Sequence, residues 1–166
     1  MTKARLLPSK EELHALLEYK DGKLFWKVKR RGSVKFGDEA GSISNHGYRQ
    51  VSINNKLYLQ HRLIWIMHGN DPEDCLDHID GDKLNNRIEN LRVATVSQNA
   101  MNRKRYSNNT SGIKGVNWDK NRSRWQGRVE IKSKLYTTSY FKDKEECAKA
   151  VRELRAKLHG DFANHG

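Results

Sequence analysis

The 25 residues Cys75-Leu-Asp-His-Ile-Asp-Gly-Asp-Lys-Leu-Asn-Asn-Arg-Ile-Glu-Asn-Leu-Arg-Val-Ala-Thr-Val-Ser-Gln-Asn99 hold a dense set of chemically useful side chains. The stretch begins with the pair Asp77 and His78, crosses a loop rich in Gly, Asn and Asp, reaches Asn90, and ends at Ser97-Gln98-Asn99. Hydrolysis of a phosphodiester needs a base for water, a cation to absorb charge on the phosphate and leaving oxygen, and fixed geometry. A neutral imidazole suits the first task near physiological pH. A carboxylate with an amide oxygen makes a hard-donor site that suits Mg²⁺ or Mn²⁺. Asn99, at the start of a following helix, is placed to complete such a site when the hairpin folds back. Asp77 and His78 point to opposite faces of an extended segment. Serving metal and water together therefore requires a local bend or unusual packing.

The elements around this stretch are legible in order. Ser9-Lys-Glu-Glu12 is a capping box, and Leu13, Leu16 and Leu17 at helical spacing predict a helix over about residues 10–19. Asp21-Gly22 is a turn, and Lys23 to Lys29 alternates apolar and basic residues like a half-exposed strand. Arg30, Arg31 and Gly32 open a basic loop, which reads either as a phosphate contact or as a solvated turn. Gly41–Ser44, Tyr48–Ile53 and Lys56–Leu59 predict short antiparallel strands, with turns at Asn45-His46-Gly47 and Asn54-Asn55. His61 to His68 predicts a compact apolar helix stopped by Gly69, and its two histidines read as structural. After the central stretch, Ser97 is expected to cap a helix running through Arg105.

Beyond Tyr106-Ser-Asn-Asn-Thr-Ser-Gly112, a polar segment without apolar periodicity, the pattern changes. Lys114–Trp118, Arg124–Ile131 and Lys134–Phe141 read as three strands, and Asp143 caps a final helix to about Leu158 that turns Cys147, Ala148, Ala150, Val151, Leu154 and Leu158 to the sheet. The organisation expected is residues 1–105, a linker at 106–112, and a second domain at 113–166, α+β throughout.

Composition bounds the partners. The 166 residues carry 32 Lys+Arg against 20 Asp+Glu, a net +12, which favours a polyanion such as double-stranded DNA. The two cysteines, Cys75 and Cys147, lie far apart, which excludes a disulfide framework and a Cys-x-x-Cys zinc site. No apolar run is long enough to cross a bilayer and no signal-peptide pattern follows Met1. A cytoplasmic protein with no membrane partner is expected, with no protein partner evident and the oligomeric state open.

Asp77-His78, Asp80-Gly81, Asn85-Asn86-Arg87, Glu89-Asn90-Leu91-Arg92, Ala94-Thr95 and Ser97-Gln98-Asn99 together resemble the ββα-metal motif of HNH homing and phage endonucleases. The match is to the subgroup whose third position is Asn, and the upstream Gly47-Tyr48 and His61-Arg62-Leu63 segments are similar as well. The resemblance implies that His78 is the general base, that Asp77 and Asn99 hold one divalent ion (Mg²⁺ or Mn²⁺), and that Asn90 braces the loop and orients His78. An EF-hand-type calcium loop fits poorly, because Asp77-x-x-Asp80-x-Asp82 lacks the alternating spacing and the closing Glu.

Residues 110–164 resemble the Apetala/ethylene-response-factor (ERF) type of DNA-binding domain, through Ser111-Gly112, Lys114-Gly115-Val116, Trp118, Trp125, Arg128-Val129, Phe141 and Gly160-Asp-Phe-Ala163. This resemblance implies a three-stranded sheet in the major groove, with Arg124, Trp125, Arg128, Trp118 and Lys114 meeting DNA. One of the two tryptophans, and Phe141, are expected to pack on the helix. The reading is a metal-dependent DNA endonuclease associated with a phage or mobile element. A non-catalytic DNA-binding regulator is the alternative.

Overall fold

The computed structural model describes residues 7–30, 32–71, 75–102 and 109–166. Expectations for Arg31, for the helix end at 103–105 and for the linker start at 106–108 lie outside the described residues. The chain is α+β and forms two compact units, Met1–Val93 and Ala94–Gly166.

In the first unit, Ser9 caps α1 (Lys10–Leu16) by accepting from the Glu12 amide. The helix stops earlier than its apolar spacing suggests. Leu17 is already extended, and β1 (Leu17–Lys20) pairs with β2 (Lys23–Trp26) around Asp21 (φ 48°) and Gly22 (φ 81°). Cross-strand pairing of Leu17 with Trp26 and of Tyr19 with Leu24 overrides a marginal last helical turn. A second antiparallel sheet follows in the order β3 (Ser42–Ile43), β4 (Arg49–Ile53), β5 (Lys56–Leu59). Its second hairpin turns on Asn54 and Asn55, both at positive φ. Helix α2 (Gln60–Met67) supplies Leu63, Ile64, Ile66 and Met67 to a core that also holds Leu13, Leu17, Leu24, Trp26, Val51 and Ile53. Two short strands, β6 (Leu76–His78) and β7 (Leu91–Val93), form the last hairpin of this unit.

The second unit opens with α3 (Val96–Met101). Its cap is Thr95, not Ser97. The Thr95 hydroxyl accepts from the Gln98 amide while the Gln98 side chain accepts from the Thr95 amide, a reciprocal pair that Ser97 has no equivalent for. Asn164 Nδ2 donates to the Asn102 carbonyl at 2.8 Å, and Lys114 Nζ donates to the carbonyls of Asn164 (2.8 Å) and Met101 (3.4 Å). These bonds tie α3 to the C-terminal segment within the second unit.

An antiparallel sheet in the order β10 (Lys134–Phe141), β9 (Arg124–Ile131), β8 (Val116–Asp119) carries α4 (Lys144–His159) on one face. Val116 and Val129 pack with Cys147, Ala148 and Val151, flanked by Trp125, Phe141, Leu154 and Leu158. Gly127 lets the helix seat closely. A Cβ there would collide with Val151 Cγ2 and lie 2.8 Å from Thr138 Cγ2. Gly127→Ala is therefore expected to lower stability by about 1–3 kcal/mol through overpacking, read as a lower Tm in thermal unfolding.

Candidate active site

The hairpin β6–β7 sets the faces of the site. Asp77 stands opposite Arg92 and His78 opposite Leu91, and directly opposed residues of an antiparallel pair share a face. Asp77 and Arg92 therefore lie on one side, where Arg92 Nε (3.0 Å) and Nη2 (2.8 Å) both reach Asp77 Oδ2. The carboxylate is only 5% exposed. That pair fixes the carboxylate's orientation through charge-assisted hydrogen bonds.

His78 turns to the opposite side, into the first unit. Its ring lies 5.0 Å from that of His61, edge to face, and 6.2 Å from that of Tyr48, while Tyr48 and His61 are 5.5 Å apart. Nε2 of His78 is 2.8 Å from Oδ1 of Asn86. All three of these partners come from outside the Asp-His pair: Tyr48 from the segment ahead of β4, His61 from α2, Asn86 from the loop. Tyr48 borders both faces. Its ring sits beside His78, and its phenol is pushed above the ordinary value by burial and then by the charge of Asp77. Lys83 reaches over the Tyr48 ring (4.6 Å) and donates to the His46 carbonyl at 3.0 Å.

The loop from Ile79 to Glu89 is closed by Asn90. Its backbone carbonyl accepts from the Ile79 amide (2.9 Å) and its Oδ1 from the Asp80 amide (3.2 Å). Its Nδ2 donates to Asp80 Oδ1 (3.0 Å) and to the Asn85 carbonyl (2.7 Å). Burial disfavours a charge on Asp80. The hydrogen bonds from Asn85, the Asp82 amide and Asn90 outweigh that and hold its carboxyl below the ordinary value. Asp80 and Asp82 are thus spent on the loop: Asp82 Oδ1 accepts from the Leu84 amide at 3.0 Å.

The sequence-based site residues divide as follows. Asp77, His78 and Asn90 fall together in the first unit. Asn99 lies half-buried in α3 of the second unit, its amide bonded to the Thr95 carbonyl. Arg30 donates to the Ser52 carbonyl at 3.1 Å and covers the Trp26 ring at 4.5 Å, which makes it a tie within the first unit. Lys114, expected to contact DNA, has its ammonium engaged by two carbonyls, and burial followed by the charge of Arg155 pushes its pKa down to about 8.

The remaining residues expected to contact DNA are split by strand parity. Trp125 shares the α4 face of β9 with Gly127 and Val129, and Trp118, directly opposite it, shares that face. The two indoles meet edge to face at 4.9 Å, with Trp118 45% exposed. Arg124 and Arg128 occupy the other face. There Tyr140, opposite Gln126, lies under the Arg122 guanidinium at 4.9 Å. Arg122 and Tyr140 are members of that face that motif reading passed over. A period of two could have found them once the register was known.

Among residues near His78, sequence reading missed Tyr48 and Asn86 as neighbours and favoured a structural role for His61. His61 is indeed core, but core that touches His78. The signal available was the similarity of Gly47-Tyr48 and His61-Arg62-Leu63 to the segments preceding the HNH motif.

Comparison with known proteins meets this geometry. Residues 58–101, from β5 through α3, match the family model of the HNH endonucleases. Protein 3.8 of Escherichia phage T7 is 40% identical over 88 residues, 53% of this chain and 72% of that protein. The chain belongs to the family of T7 protein 3.8 and carries an HNH endonuclease domain. An uncharacterized HNH endonuclease of Acanthamoeba polyphaga mimivirus is 32% identical over 124 residues, 73% of this chain. The chain spans 63% of that relative's length. No solved structure matches the chain.

Within the HNH domain, burial of His61, then the charges of His78 and Arg62, push its pKa from the ordinary 6.5 down to about 3. The unfolded chain takes up that proton near the ordinary value, and the folded chain only near about 3. Acidification through this window therefore favours unfolding. Between pH 7 and pH 5 this one group is expected to cost about 2 kcal/mol of stability. Denaturant unfolding at both pH values should show His61→Gln losing less stability than the wild type by that margin.

Proposed function

We propose that this protein is a metal-dependent DNA endonuclease of the HNH type, phage- or mobile-element-associated, with His78 as general base. The observation that carries the reading is a buried imidazole, boxed by Tyr48, His61 and Asn86, next in sequence to a buried carboxylate held by Arg92. A neutral, positioned imidazole accepts a proton from water near physiological pH. Burial holds its neighbour His61 neutral, so no imidazolium charge stands beside the His78 ring. The bracing of the 79–89 loop by Asn90 keeps His78 at the hairpin end and limits the motion that would misplace it.

We further propose Asp77 and Asn99 as the protein ligands of one divalent ion. The donor chemistry fits: a carboxylate and an amide oxygen are hard donors, and Mg²⁺ commonly keeps several waters beside one or two protein groups. Among the described residues no cluster of three or more His, Cys, Asp or Glu offers an alternative metal site. Once bound, such an ion supplies charge stabilisation at the scissile phosphate and leaving oxygen. Arg92 aligns Asp77 for that contact.

The net charge of +12 suits recruitment of duplex DNA. For the second unit we propose a DNA-contacting role of the ERF type, carried by the sheet face that holds Arg124, Arg128, Arg122 and Tyr140. Its support is the exposed guanidinium-and-aromatic surface opposite α4 together with the motif similarity.

A supercoiled plasmid incubated with Mg²⁺ or Mn²⁺ tests the reading. Wild-type protein should cut it, chelation should abolish cutting, and His78→Ala should slow it by about 100- to 10,000-fold while DNA binding persists. Binding by both proteins without cleavage under any divalent ion would establish a non-catalytic regulator.

A further inference from the structure

The first unit holds a second concave site that the catalytic reading does not use. A cavity of about 500 Å³ is lined by Tyr19 and Met67, the rings of His68 and Phe36, and the charged Lys27 and Glu18. That volume falls in the range of roughly 300–1,000 Å³ common for small-ligand sites. Part of its wall is fixed. The Tyr19 and His68 rings meet edge to face at 4.8 Å, and His68 Nδ1 lies 2.8 Å from the Ile64 carbonyl. Lys27 Nζ donates to the His14 carbonyl at 2.7 Å, which holds a positive charge at the cavity. Glu18 offers an acceptor, which suits an exocyclic amino group.

Phe36 is the member of this lining that core packing does not account for. It is 73% exposed and lies outside the core cluster of the unit. Tips of turns favour small and polar residues, yet Phe36 stands at the tip of a turn that is tightly closed. The Lys35 amide donates to Asp38 Oδ2 at 2.6 Å, and the Asp38 amide donates to the Lys35 carbonyl at 3.3 Å. Gly37 supplies the positive φ (83°) that the turn requires. The turn is also tied to β2: the Gly37 amide donates to the Trp26 carbonyl at 2.8 Å, and the Trp26 amide to the Asp38 carbonyl at 3.0 Å. A large aromatic ring is thus presented to solvent on a braced backbone, beside a cavity with two further rings in its wall.

The chain leading to this ring is basic. Lys27, Lys29, Arg30, Arg31 and Lys35 fall within nine residues that contain no carboxylate. Arg30 is committed to the Ser52 carbonyl and the Trp26 ring. Cations beside an exposed ring fit a polyanion that carries flat side groups. Phosphates meet the cations, and an unstacked base lies on the ring. In an intact duplex each base is paired and stacked, so only a single-stranded segment offers one without the cost of opening the helix.

We propose that Phe36 and the cavity beside it bind an unpaired nucleobase of single-stranded DNA, with Lys27 supplying positive charge at the same site. This goes beyond the endonuclease reading and does not depend on it.

The experiment uses the full chain and an unstructured single strand of about 12 nucleotides of mixed A, C and T, carrying one 5-iodouracil. A blunt duplex of the same sequence is the comparison. Binding is measured by fluorescence anisotropy, and photo-cross-links are located by mass spectrometry. Wild-type protein should cross-link the single strand at Phe36 or Tyr19. Phe36→Ala should weaken single-strand binding about 5- to 100-fold, the size of one lost base–aromatic stack, and duplex binding by less than about twofold. Phe36→Trp should keep or tighten single-strand binding. Because Phe36 is mostly exposed, Phe36→Ala should unfold at the wild-type Tm.

Unchanged single-strand affinity in Phe36→Ala overturns the proposal. Equal losses on single strand and duplex overturn it too, since they mark a general loss of charge contact or fold. So do cross-links confined to the aromatic residues of the second unit. Cleavage is no part of these readouts, so failure of this site and failure of the endonuclease reading are told apart.

Discussion

The side chain of Asn90 makes three hydrogen bonds inside one loop, to the Asp80 amide, the Asp80 carboxylate and the Asn85 carbonyl, and the HNH hairpin depends on them. The loop between β6 and β7 is polar and short of apolar anchors, so it has little hydrophobic burial to offset the entropy of ordering it. An amide that donates and accepts at once closes it from the inside, and the Asn90 carbonyl adds a fourth link through Ile79. A carboxylate at 90 would lose both donor contacts, and an aliphatic residue would lose all three. The result is that His78, at the end of a three-residue strand, has a defined direction. It turns away from Asp77 and toward His61 and Asn86.

The conflict between Asp77 and His78 raised by their adjacency is resolved by division rather than by bending. Each side chain has its own face of the hairpin and its own partner: Arg92 for the carboxylate, Asn86 for the imidazole. Both are buried, and burial makes pairing obligatory because an unpaired polar group out of water costs about 1–3 kcal/mol. Tyr48 borders both, and the charge of Asp77 adds to burial in raising its phenol. Burial also keeps His61 neutral beside His78. A buried histidine on an apolar helix is thus both core and part of the electrostatic setting of the site.

Much of this was legible in the sequence, for identifiable reasons. The capping residues Ser9 and Asp143, the turn pairs Asp21-Gly22 and Asn54-Asn55, and the apolar repeat of α4 act locally, so local pattern reveals them. The Asp-His and Asn register revealed the HNH stretch because many positions had to agree at once. What stayed hidden is what depends on pairing. The early end of α1 follows from the partnership of Leu17 with Trp26, and the Thr95 cap from a reciprocal bond with Gln98. The separation of Trp118 and Trp125 from Arg124 and Arg128 follows from a register that a single strand does not declare. Asn86 looked like one of several loop amides. Its burial, its bond to the His78 ring and the packing of the Gly22 turn against its backbone mark it out.

The hydrogen bonds of Asn90 hold the loop that aims His78. Hydrogen exchange of the Asp80 and Ile79 amides in Asn90→Ala, measured beside DNA cleavage, tests it most directly. The expected result is a loss of protection at the Asp80 amide, whose partner is the Asn90 side chain, and a smaller loss at the Ile79 amide, whose partner carbonyl the substitution keeps, together with a loss of cleavage, while core amides of β4 and α2 stay protected. Unchanged protection at Asp80 with cleavage at the wild-type rate would contradict it.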